Sequence, residues 1–360
     1  TLIVRDGVYN ENVIIDKSLT IISENLHGAI LGGAIGTKGS IRIAQGTVTI
    51  DGLKFGPSGN SFGILVGGID PTFTTEACII KNNDISGRQD GIKIMNHGFN
   101  SEIIGNRIRE CENNGIFFSG KGITKISGNR IELCKGNGII VSGMDNESML
   151  LKDDTIISNG LKGIVIEIDN TTIMGCVIEG SGEQGIYANS GRSGIVIDAG
   201  NRIAYNGTHG IDMETRSNSE ISGNSILGNT EHGILIHADA FSMISGNEIE
   251  KNEFNGIMIY GKAELHENTI SENIPNGVEV FDSGIITGNT ISGNVDVGIL
   301  IQNDAKYAWI EENKVLRNGG AGIYLEVEAE VRSNKIEGNR TGIDLKAEGD
   351  TINIVHQNQI

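Results

Sequence analysis

Short apolar runs separated by glycine and asparagine recur along nearly the whole chain. The clearest mark is a glycine followed by isoleucine or valine, which returns every 20 to 28 residues, about 23 on average. These glycines are Gly63, Gly91, Gly115, Gly138, Gly163, Gly185, Gly210, Gly233, Gly256, Gly277, Gly298, Gly322 and Gly342. After each one, apolar residues alternate in direction, as Ile234 and Ile236 do against Leu235. Alternation over so few residues, rich in β-branched side chains, predicts a short β-strand.

Two further apolar positions mark each coil. One lies two residues after an asparagine. These asparagines are Asn83, Asn106, Asn129, Asn201, Asn224, Asn247, Asn268, Asn289, Asn313, Asn334 and Asn358, and in two middle coils Asp154 and Cys176 take the place of the asparagine. The other precedes the asparagine by three residues, as Ile244 precedes Asn247. Gly-Asn pairs such as Gly246-Asn247 suit the left-handed backbone of a sharp corner. Stacked asparagines are also expected to hydrogen-bond to each other along the axis.

Stacked coils bury apolar columns that no single coil could bury alone. The sequence therefore predicts an all-β, right-handed parallel β-helix with about 23 residues and three short strands per coil. We expect one domain over residues 1–360, with irregular first coils at 1–62 and regular coils over 63–360. A leucine-rich repeat has an overlapping period, but the half of the coil that would be helical there is too rich in glycine here.

The order Gly-Asn-x-Ile-x-x-Asn-x-x-x-Gly-Ile, seen from Gly246 to Ile257, resembles the repeat of the pectin-lyase-like superfamily. More narrowly, it is similar to NosD-type proteins and to the carbohydrate-binding and sugar-hydrolase (CASH) repeat. The opening from Val4 to Val13 resembles the first coil of such proteins. The resemblance implies an exported protein, extracellular, at the cell surface or periplasmic, that meets polysaccharide or belongs to a surface layer. It is weak for activity, because function lies in sites added to a fold.

The chain is acidic, with a formal net charge of −18. Such a charge repels nucleic acid and anionic membrane surfaces, so we expect neither as a partner. No apolar run approaches the length that a transmembrane segment needs. Residues 1–5 already resemble a strand and residues 355–360 stop in mid-coil. We therefore expect that residues were removed from the ends, or that other copies stack end to end.

Four cysteines are too few for a disulfide-rich scaffold. Cys111 and Cys134 share a repeat position in consecutive coils. Stacking would place their Cα atoms about 4.8 Å apart, within the range that a disulfide accepts. Two small apolar side chains stacked in the core are the simpler interpretation, and a disulfide is the alternative.

Motifs of the superfamily's enzymes are largely missing. Pectate lyases use an arginine near a proline, with calcium held by carboxylates, and no Arg-x-Pro is present. Polygalacturonases carry a Gly-His-Gly segment, whereas His209 and His232 precede repeat glycines in ordinary turns. Mannuronan epimerases carry Asp-Pro-His-Asp, but Asp70-Pro71 is followed here by Thr72.

One group of titratable residues is brought together by the repeat. Asp212 and Glu214 are expected to point outward, roughly 6–7 Å apart on one strand face. His237 would lie one coil on, beside Glu214, with Glu167 two coils before. Paired carboxylates can serve acid–base cleavage of a glycosidic bond, and several oxygens also suit Ca²⁺. A solvated acidic face explains the same residues more simply. We expect no cofactor, with Ca²⁺ as the metal that would suit the cluster.

Apolar residues also occupy the outward position two residues after the glycine. They are Leu65, Phe117, Ile140, Val165, Tyr187, Leu235, Met258, Leu300 and Tyr324, joined by Tyr260 and Phe281 in the next outward column. A contiguous apolar stripe of this length is expected to be covered. Lateral packing of another copy and stacking of sugar rings are the two candidates. The predicted binding or assembly face is Phe117, Tyr187, Leu235, Met258, Tyr260, Phe281, Leu300 and Tyr324.

Two functional hypotheses follow. The first is a non-enzymatic extracellular or cell-surface scaffold that self-associates in a surface layer or sheath, binds glycan, or both. The second is a carbohydrate-active enzyme, either a polysaccharide lyase, an epimerase or a glycoside hydrolase, that uses Asp212, Glu214 and His237. The missing motifs favour the first.

Overall fold

The computed structural model describes residues 1–32, 39–57, 61–67, 75–95, 100–120, 124–143, 148–214, 218–346 and 354–360. Every regular element in these ranges is a β-strand, which confirms the predicted all-β class. No helix in the described ranges is long and apolar enough to span a membrane. The chain divides into two compact units, Thr1–Gly182 and Glu183–Ile360. The prediction of a single domain stays a prediction.

In the first unit each coil contributes strands to three parallel sheets, and each strand pairs with a strand one coil away. Sheet 1 contains Leu2–Val4, Leu19–Ser23, Gly46–Asp51, Thr75–Lys81, Asn100–Ile104, Thr124–Ser127, Met149–Lys152 and Thr171–Met174. Sheet 2 contains Gly7–Tyr9, Ala29–Leu31, Lys54–Phe55, Asp84–Ser86, Arg107–Arg109, Arg130–Glu132, Thr155–Ile157 and Val177–Glu179. Sheet 3 contains Val13–Ile15, Ile41–Ile43, Ile64–Gly67, Ile92–Met95, Ile116–Gly120, Ile139–Gly143 and Ile164–Glu167. The described strands within 1–62 pair in these same sheets.

The second unit repeats this arrangement. Its first sheet, also called sheet 1, contains Ile195–Asp198, Ser219–Ser222, Phe241–Ser245, Lys262–His266, Ser283–Thr287, Tyr307–Glu311, Glu330–Arg332 and Ile354–His356. Sheet 2 contains Arg202–Ala204, Ser225–Leu227, Glu248–Glu250, Thr269–Ser271, Thr290–Ser292, Lys314–Leu316 and Lys335–Glu337. Sheet 3 contains Ile186–Ala188, Ile211–Met213, Ile234–Ile236, Ile257–Ile259, Val278–Val280, Ile299–Ile301, Ala321–Leu325 and Thr341–Leu345.

The strands pair in the register that the repeat predicts. Ile211 pairs with Ile234 and Ile234 with Ile257, each one residue after a repeat glycine. In the first unit Ile116 pairs with Ile139 in the same way. Along the asparagine column, neighbouring coils are 21 to 25 residues apart. The predicted period of about 23 residues and three strands per coil are confirmed.

The inward residues of the three sheets form a continuous apolar core. Ile234 and Ile236 are 0% exposed, whereas Leu235 between them faces the other side and is 6% exposed. Burying such a side chain contributes roughly 1.5–3 kcal/mol. Since a single coil leaves its upper and lower edges in water, this burial comes from stacking and not from any one coil.

Buried asparagines connect the coils at one corner. The Oδ1 atom of Asn289 accepts hydrogen bonds from the backbone N–H and the Nδ2 of Asn268, both at 2.9 Å. The Nδ2 of Asn289 donates to Oδ1 of Asn313 at 3.0 Å. Such side-chain bonds join Asn83, Asn106 and Asn129 in the first unit, and Asn201, Asn224, Asn247, Asn268, Asn289, Asn313, Asn334 and Asn358 in the second. The predicted ladder is confirmed.

A second ladder, which the sequence argument missed, lies at the turn between sheets 2 and 3. It contains Asn206, Asn229, Asn252, Asn273, Asn294, Asn318 and Asn339. Each follows a first-ladder asparagine by five residues, as Asn252 follows Asn247. Buried amides without partners would be costly, and the ladder gives each one a partner in the next coil.

The residue before the first-ladder asparagine forms the left-handed corner. Its φ is 62° at Gly105 and 61° at Gly246, and even Glu267 adopts 55°. The asparagine that follows does not share this conformation. We expected left-handed angles to suit both residues of the Gly-Asn pair. Only the first residue of the pair adopts them.

The repeat glycine is required for space. A Cβ atom on Gly233 would lie 2.6 Å from the carbonyl oxygen of Gly256, 2.6 Å from Cγ2 of Ile249 and 2.8 Å from Nδ2 of Asn252. Backbone and a buried ladder amide cannot move aside without breaking other contacts. Glycine at this position therefore allows one coil to approach the next.

Asp154 interrupts the first ladder. Its Oδ1 accepts hydrogen bonds from the N–H and Nδ2 of Asn129 at 2.8 and 2.9 Å, as an asparagine would. Its Oδ2 stands where an asparagine would carry NH₂, and this oxygen is buried without a hydrogen-bond partner. Burial raises the pKa of Asp154 to about 7.

All four cysteines are buried free thiols in the structure. The thiols of Cys111 and Cys134, one coil apart, each donate to the backbone carbonyl two residues earlier, that of Arg109 and that of Glu132, both at 3.8 Å. The structure thus has the stacked thiols of the simpler interpretation, and a disulfide between the two stays a prediction.

Gly233→Ala is expected to lower the free energy of unfolding by about 1–3 kcal/mol, because the new methyl group overpacks a contact between two coils. Thermal unfolding followed by circular dichroism measures this. Gly56→Ala is the matched control, since nothing lies within 4 Å of its added Cβ, and it should change stability by less than about 0.5 kcal/mol. Equal losses in the two variants would contradict the close-approach argument.

Asp154→Asn is expected to stabilise the protein above neutral pH. The folded-state pKa of about 7 exceeds the unfolded value of roughly 3.9. The stabilising contribution of the protonated side chain is therefore complete below about pH 4 and is lost as the pH rises through about 7. At pH 8 the variant should gain up to about 4 kcal/mol, because its amide can donate as Nδ2 of Asn129 does to the Ile103 carbonyl at 2.9 Å.

Chemical denaturation at pH 4, 6 and 8 measures this difference. Asp153→Asn is the control, because this neighbouring carboxylate is exposed. The pH dependence of stability should flatten in Asp154→Asn and persist in Asp153→Asn. An unchanged slope in Asp154→Asn would show that Asp154 is not the titrating group.

Candidate active-site groove on the third sheet

The outward face of sheet 3 in the second unit carries three columns of side chains, which we call the sheet 3 groove. The floor column contains Tyr187, Asp212, Leu235, Met258, Glu279, Leu300 and Tyr324, each two residues after a repeat glycine. The turn column, which precedes the glycine, contains Gln184, His209, His232, Asn255, Asn276, Val297 and Ala321. The far column, four residues after the glycine, contains Glu214, His237, Tyr260, Phe281, Gln302 and Glu326. Neighbours in a column are about 4.8 Å apart.

The floor residues point away from the core, as the alternation predicts. Ile299 and Ile301 on either side of Leu300 are fully buried. Leu300 and Tyr324 line an open cavity of about 510 Å³ together with polar residues that include Arg340 and Asp344. The last coils of the second unit therefore offer an open cavity of mixed polarity on this face.

The predicted binding or assembly face exposes less apolar surface than expected. Leu235 and Met258 are only 6% and 8% exposed, and Asp212 and Glu279 interrupt the apolar residues of the floor. Tyr187, Leu300 and Tyr324 are half-buried in the same column. The expectation of a contiguous apolar stripe is thus corrected in the second unit, because two buried carboxylates share the column. In the first unit, Phe117 lies beneath the amine of Lys93, 4.7 Å from the ring centre.

Two residues of the predicted face remain prominent. Tyr260 is 42% exposed, and its ring stacks on that of Phe281 with centres 4.8 Å apart and planes at 28°. The pair occupies consecutive coils of the far column, directly after His237.

His237 and Asp212 form the central contact of the groove. The Nε2 atom of His237 lies 2.8 Å from Oδ1 of Asp212, and the Nε2 of Gln184 donates to Oδ2 of Asp212 at 2.8 Å. Asp212 is 3% exposed, whereas the His237 side chain is partly exposed. The hydrogen bond to Asp212 raises the pKa of His237 above its ordinary value. A buried carboxylate thus orients an accessible imidazole and stabilises its charged form.

The sequence suggested that Glu214 and Asp212 form a pair of free carboxylates, but each of the two is hydrogen-bonded to other side chains. The Oε2 atom of Glu214 accepts a hydrogen bond from the Tyr187 hydroxyl at 3.0 Å. Asp212 is occupied by His237 and Gln184. The two carboxylates therefore accept hydrogen bonds from different partners. His237 is hydrogen-bonded to Asp212, and the charge of neighbouring Glu214 also raises its pKa.

Two histidines that the sequence argument treated as ordinary turn residues border this contact. His209 and His232 stack with ring centres 5.2 Å apart and planes at 13°. The backbone N–H of His232 donates to Nδ1 of His209, and Nε2 of His209 lies 2.9 Å from Glu231. Burial lowers the pKa of His209, and burial together with the charge of His209 lowers that of His232 to about 4. The pKa shifts of both rings therefore favour the neutral form, whereas that of His237 favours the charged form.

Glu279 forms a second polar centre that the sequence argument also missed. Its Oε2 accepts hydrogen bonds from Nδ2 of Asn255 at 2.7 Å and Nδ2 of Asn276 at 3.1 Å. Its Oε1 accepts one from Nε2 of Gln302 at 2.6 Å. The signal that could have revealed it is a charged residue within an otherwise apolar column, between Met258 and Leu300.

The groove therefore holds proton carriers with distinct properties. The charged form of His237 is stabilised by Asp212, Tyr187 presents a phenol beside Glu214, and burial favours the neutral form of the stacked histidines. Within the described residues no three His, Cys, Asp or Glu side chains are arranged to hold a metal ion, and the suggestion of Ca²⁺ stays a prediction.

Glu167 lies at the end of a sheet 3 strand in the first unit. Asp70-Pro71 and Thr72 lie outside the described residues.

Comparisons with known proteins agree with this architecture. A family model described as "Right handed beta helix region" matches residues 16–198, 163–315 and 244–360. No curated protein matches the chain by sequence. A solved structure of a point mutant of the periplasmic alginate epimerase AlgG superposes with a TM-score of 0.57 at 16% identity, covering 79% of this chain and 76% of that one.

A second AlgG point mutant gives a TM-score of 0.51 at 14% identity, with 89% of this chain and 77% of that one covered. The A-module of the Azotobacter vinelandii mannuronan C-5 epimerase AlgE4 gives 0.46 at 13% identity, with 97% and 89% covered. At these identities the likeness to AlgG establishes the fold and leaves the activity open. The narrower resemblance to NosD-type and CASH repeats stays a prediction. With matches that together extend from residue 16 to residue 360, the chain belongs to the right-handed β-helix family.

Proposed function

We propose that the chain is a carbohydrate-active enzyme that processes a polysaccharide by acid–base catalysis at His237. The observation that carries the proposal is the 2.8 Å contact between Nε2 of His237 and the buried carboxylate of Asp212. This contact fixes the orientation of the ring and raises its pKa. A partly exposed imidazole whose charged form is stabilised by a buried carboxylate is suited to general acid–base catalysis.

The surroundings of His237 support this assignment. Tyr187 and Glu214 supply a second hydrogen-bonded pair of titratable groups in the same part of the groove. His209 and His232 have pKa values shifted in the opposite direction from that of His237. Opposite shifts among neighbouring groups are typical of sites that perform proton transfer. The proposal places the protein outside the cytoplasm, in the periplasm, at the cell surface or in the medium, where polysaccharide is met.

A self-associating scaffold is the second candidate. The stacked pair of exposed Tyr260 and half-buried Phe281 favours it, because large exposed apolar groups often mark contact surfaces. Leu235 and Met258 expose too little area to add to such a contact. Sedimentation velocity separates the candidates: large assemblies that turn over no polysaccharide would support the scaffold and contradict the enzyme.

His237→Ala is expected to lower kcat by about 10²- to 10⁴-fold, the usual contribution of a general acid or base. The substrates are dextran, xyloglucan, galactomannan, chitosan, alginate and polygalacturonate. Turnover is measured as released reducing ends, unsaturated ends or changed sugar configuration. His266→Ala is the matched control, since His266 forms a histidine–carboxylate contact with Glu264 at 3.5 Å on sheet 1. Full activity in His237→Ala, or no turnover of any of these substrates by the wild type, would contradict the proposal.

Asp212→Asn is expected to move one limb of the pH–activity profile to lower pH. The carboxylate stabilises the imidazolium of His237, so its removal makes the ring lose its proton at a lower pH. The limb that His237 controls should shift in this direction whether the ring acts as acid or as base. A pH profile of kcat that keeps the same limbs in the variant would show that Asp212 does not tune the catalytic group.

A further inference from the structure

The two carboxylates of the groove floor are held in the same way. Asp212 binds a turn-column amide from the preceding coil, Gln184, and a far-column group from the following coil, His237. Glu279 likewise binds the turn-column amide of Asn255 from the preceding coil and far-column Gln302 from the following coil. The groove thus contains two centres of one design, three coils apart, which corresponds to about 14 Å along the axis.

The two centres differ in their capacity for proton transfer. Gln302 takes the position of His237, and an amide does not change its charge with pH. A third amide, from Asn276, adds to Glu279 at 3.1 Å. Glu279 is 8% exposed, so its carboxylate is a fixed hydrogen-bond acceptor at the floor of the groove. The second centre is therefore equipped to bind and not to catalyse.

An aromatic surface adjoins this acceptor. Phe281 belongs to the same coil as Glu279, and Tyr260 belongs to the coil before it, one step from His237. Their rings stack nearly parallel, and Tyr260 is 42% exposed. An exposed aromatic ring beside a hydrogen-bond acceptor suits a sugar ring, which has apolar C–H groups and a rim of hydroxyl groups.

The charge of this centre distinguishes between classes of sugar. All three groups that bind Glu279 are uncharged amides, so its negative charge is not neutralised by its partners. Asp282 is adjacent in sequence to Phe281, and its carboxylate pairs with Lys306 at 2.8 Å. A uronate would meet an unneutralised carboxylate in a partly desolvated groove, where like charges repel strongly. A hydroxyl group would instead donate a hydrogen bond to it.

We propose that Glu279, Tyr260 and Phe281 form a subsite for a neutral polysaccharide that lies along the coil axis. The inference rests on the proposed function in that this subsite positions the chain on which His237 acts. It assigns to the groove a substrate without carboxylates, in contrast to the alginate named for the AlgG epimerase. The stacked aromatic pair supplies the affinity, and Glu279 supplies the preference for hydroxyl groups over acids.

Affinity gel electrophoresis tests the inference with dextran, xyloglucan and galactomannan as neutral probes, alginate and polygalacturonate as acidic probes and chitosan as the cationic probe. At least one neutral polysaccharide should retard the protein, and the acidic ones should not. Tyr260→Ala and Phe281→Ala should each weaken retardation about tenfold or more, because the first removes the exposed ring and the second removes the ring that holds it in place. Tyr307→Ala is the matched control, since Tyr307 is 45% exposed on sheet 1, and it should bind as the wild type does.

Three outcomes would overturn the inference: retardation by none of the neutral probes, stronger retardation by alginate, polygalacturonate or chitosan, and unchanged binding in the Tyr260→Ala and Phe281→Ala variants. Circular dichroism confirms that the variants fold. The turnover assay keeps the two failures apart, because the subsite predicts neutral-glycan binding that depends on Tyr260 and Phe281 whether or not the glycan is turned over. Neutral-glycan binding that depends on Tyr260, in a protein without turnover, would support the subsite and refute the catalytic role of His237.

Discussion

The in-register stacking of one coil on the next is the constraint on which the whole molecule depends. Parallel backbone hydrogen bonds fix the stacking, and in both units it makes residues one period apart immediate neighbours. A residue type that suits a slot in one coil must therefore tolerate its own copy in the next. Isoleucine satisfies this in the core, glycine at the close approach between coils, and asparagine at the corners. Asparagine suits its slot because one amide both donates to and accepts from identical neighbours.

The same constraint produces the groove. Asp212 and His237 are separated by 25 residues in sequence, yet they are neighbours because they lie on consecutive coils. Gln184 reaches Asp212 from the coil on the other side. A β-helix can therefore assemble a site from three successive repeats by placing one unusual side chain in each, while the core columns beneath remain unchanged. The groove and the core belong to opposite faces of the same strands, so chemistry can vary without disturbing the fold.

The fold could be predicted in detail because its signal is repeated. Each Gly-Ile step restates the same strand, and apolar slots such as those of Ile234 and Ile257 identify the core by recurrence. The site could be predicted only as far as the columns allow. The repeat places Asp212, Glu214 and His237 on one face. Whether His237 hydrogen-bonds to Asp212 or to Glu214 depends on side-chain torsions that the repeat does not encode. His209 and His232 looked generic because the residue before a repeat glycine is usually an exposed turn residue. Their rings are half-buried because they stack on each other and because the Phe254 ring packs against His232.

Nuclear magnetic resonance titration of the His237 ring, in the wild type and in Asp212→Asn, most directly tests the claim that stacked coils create the site. The account predicts a wild-type pKa above the ordinary value of roughly 6.5 and a clearly lower pKa in the variant. A His237 that titrates at the same pH in both proteins would contradict the contact between the two coils, and the catalytic proposal would fail with it.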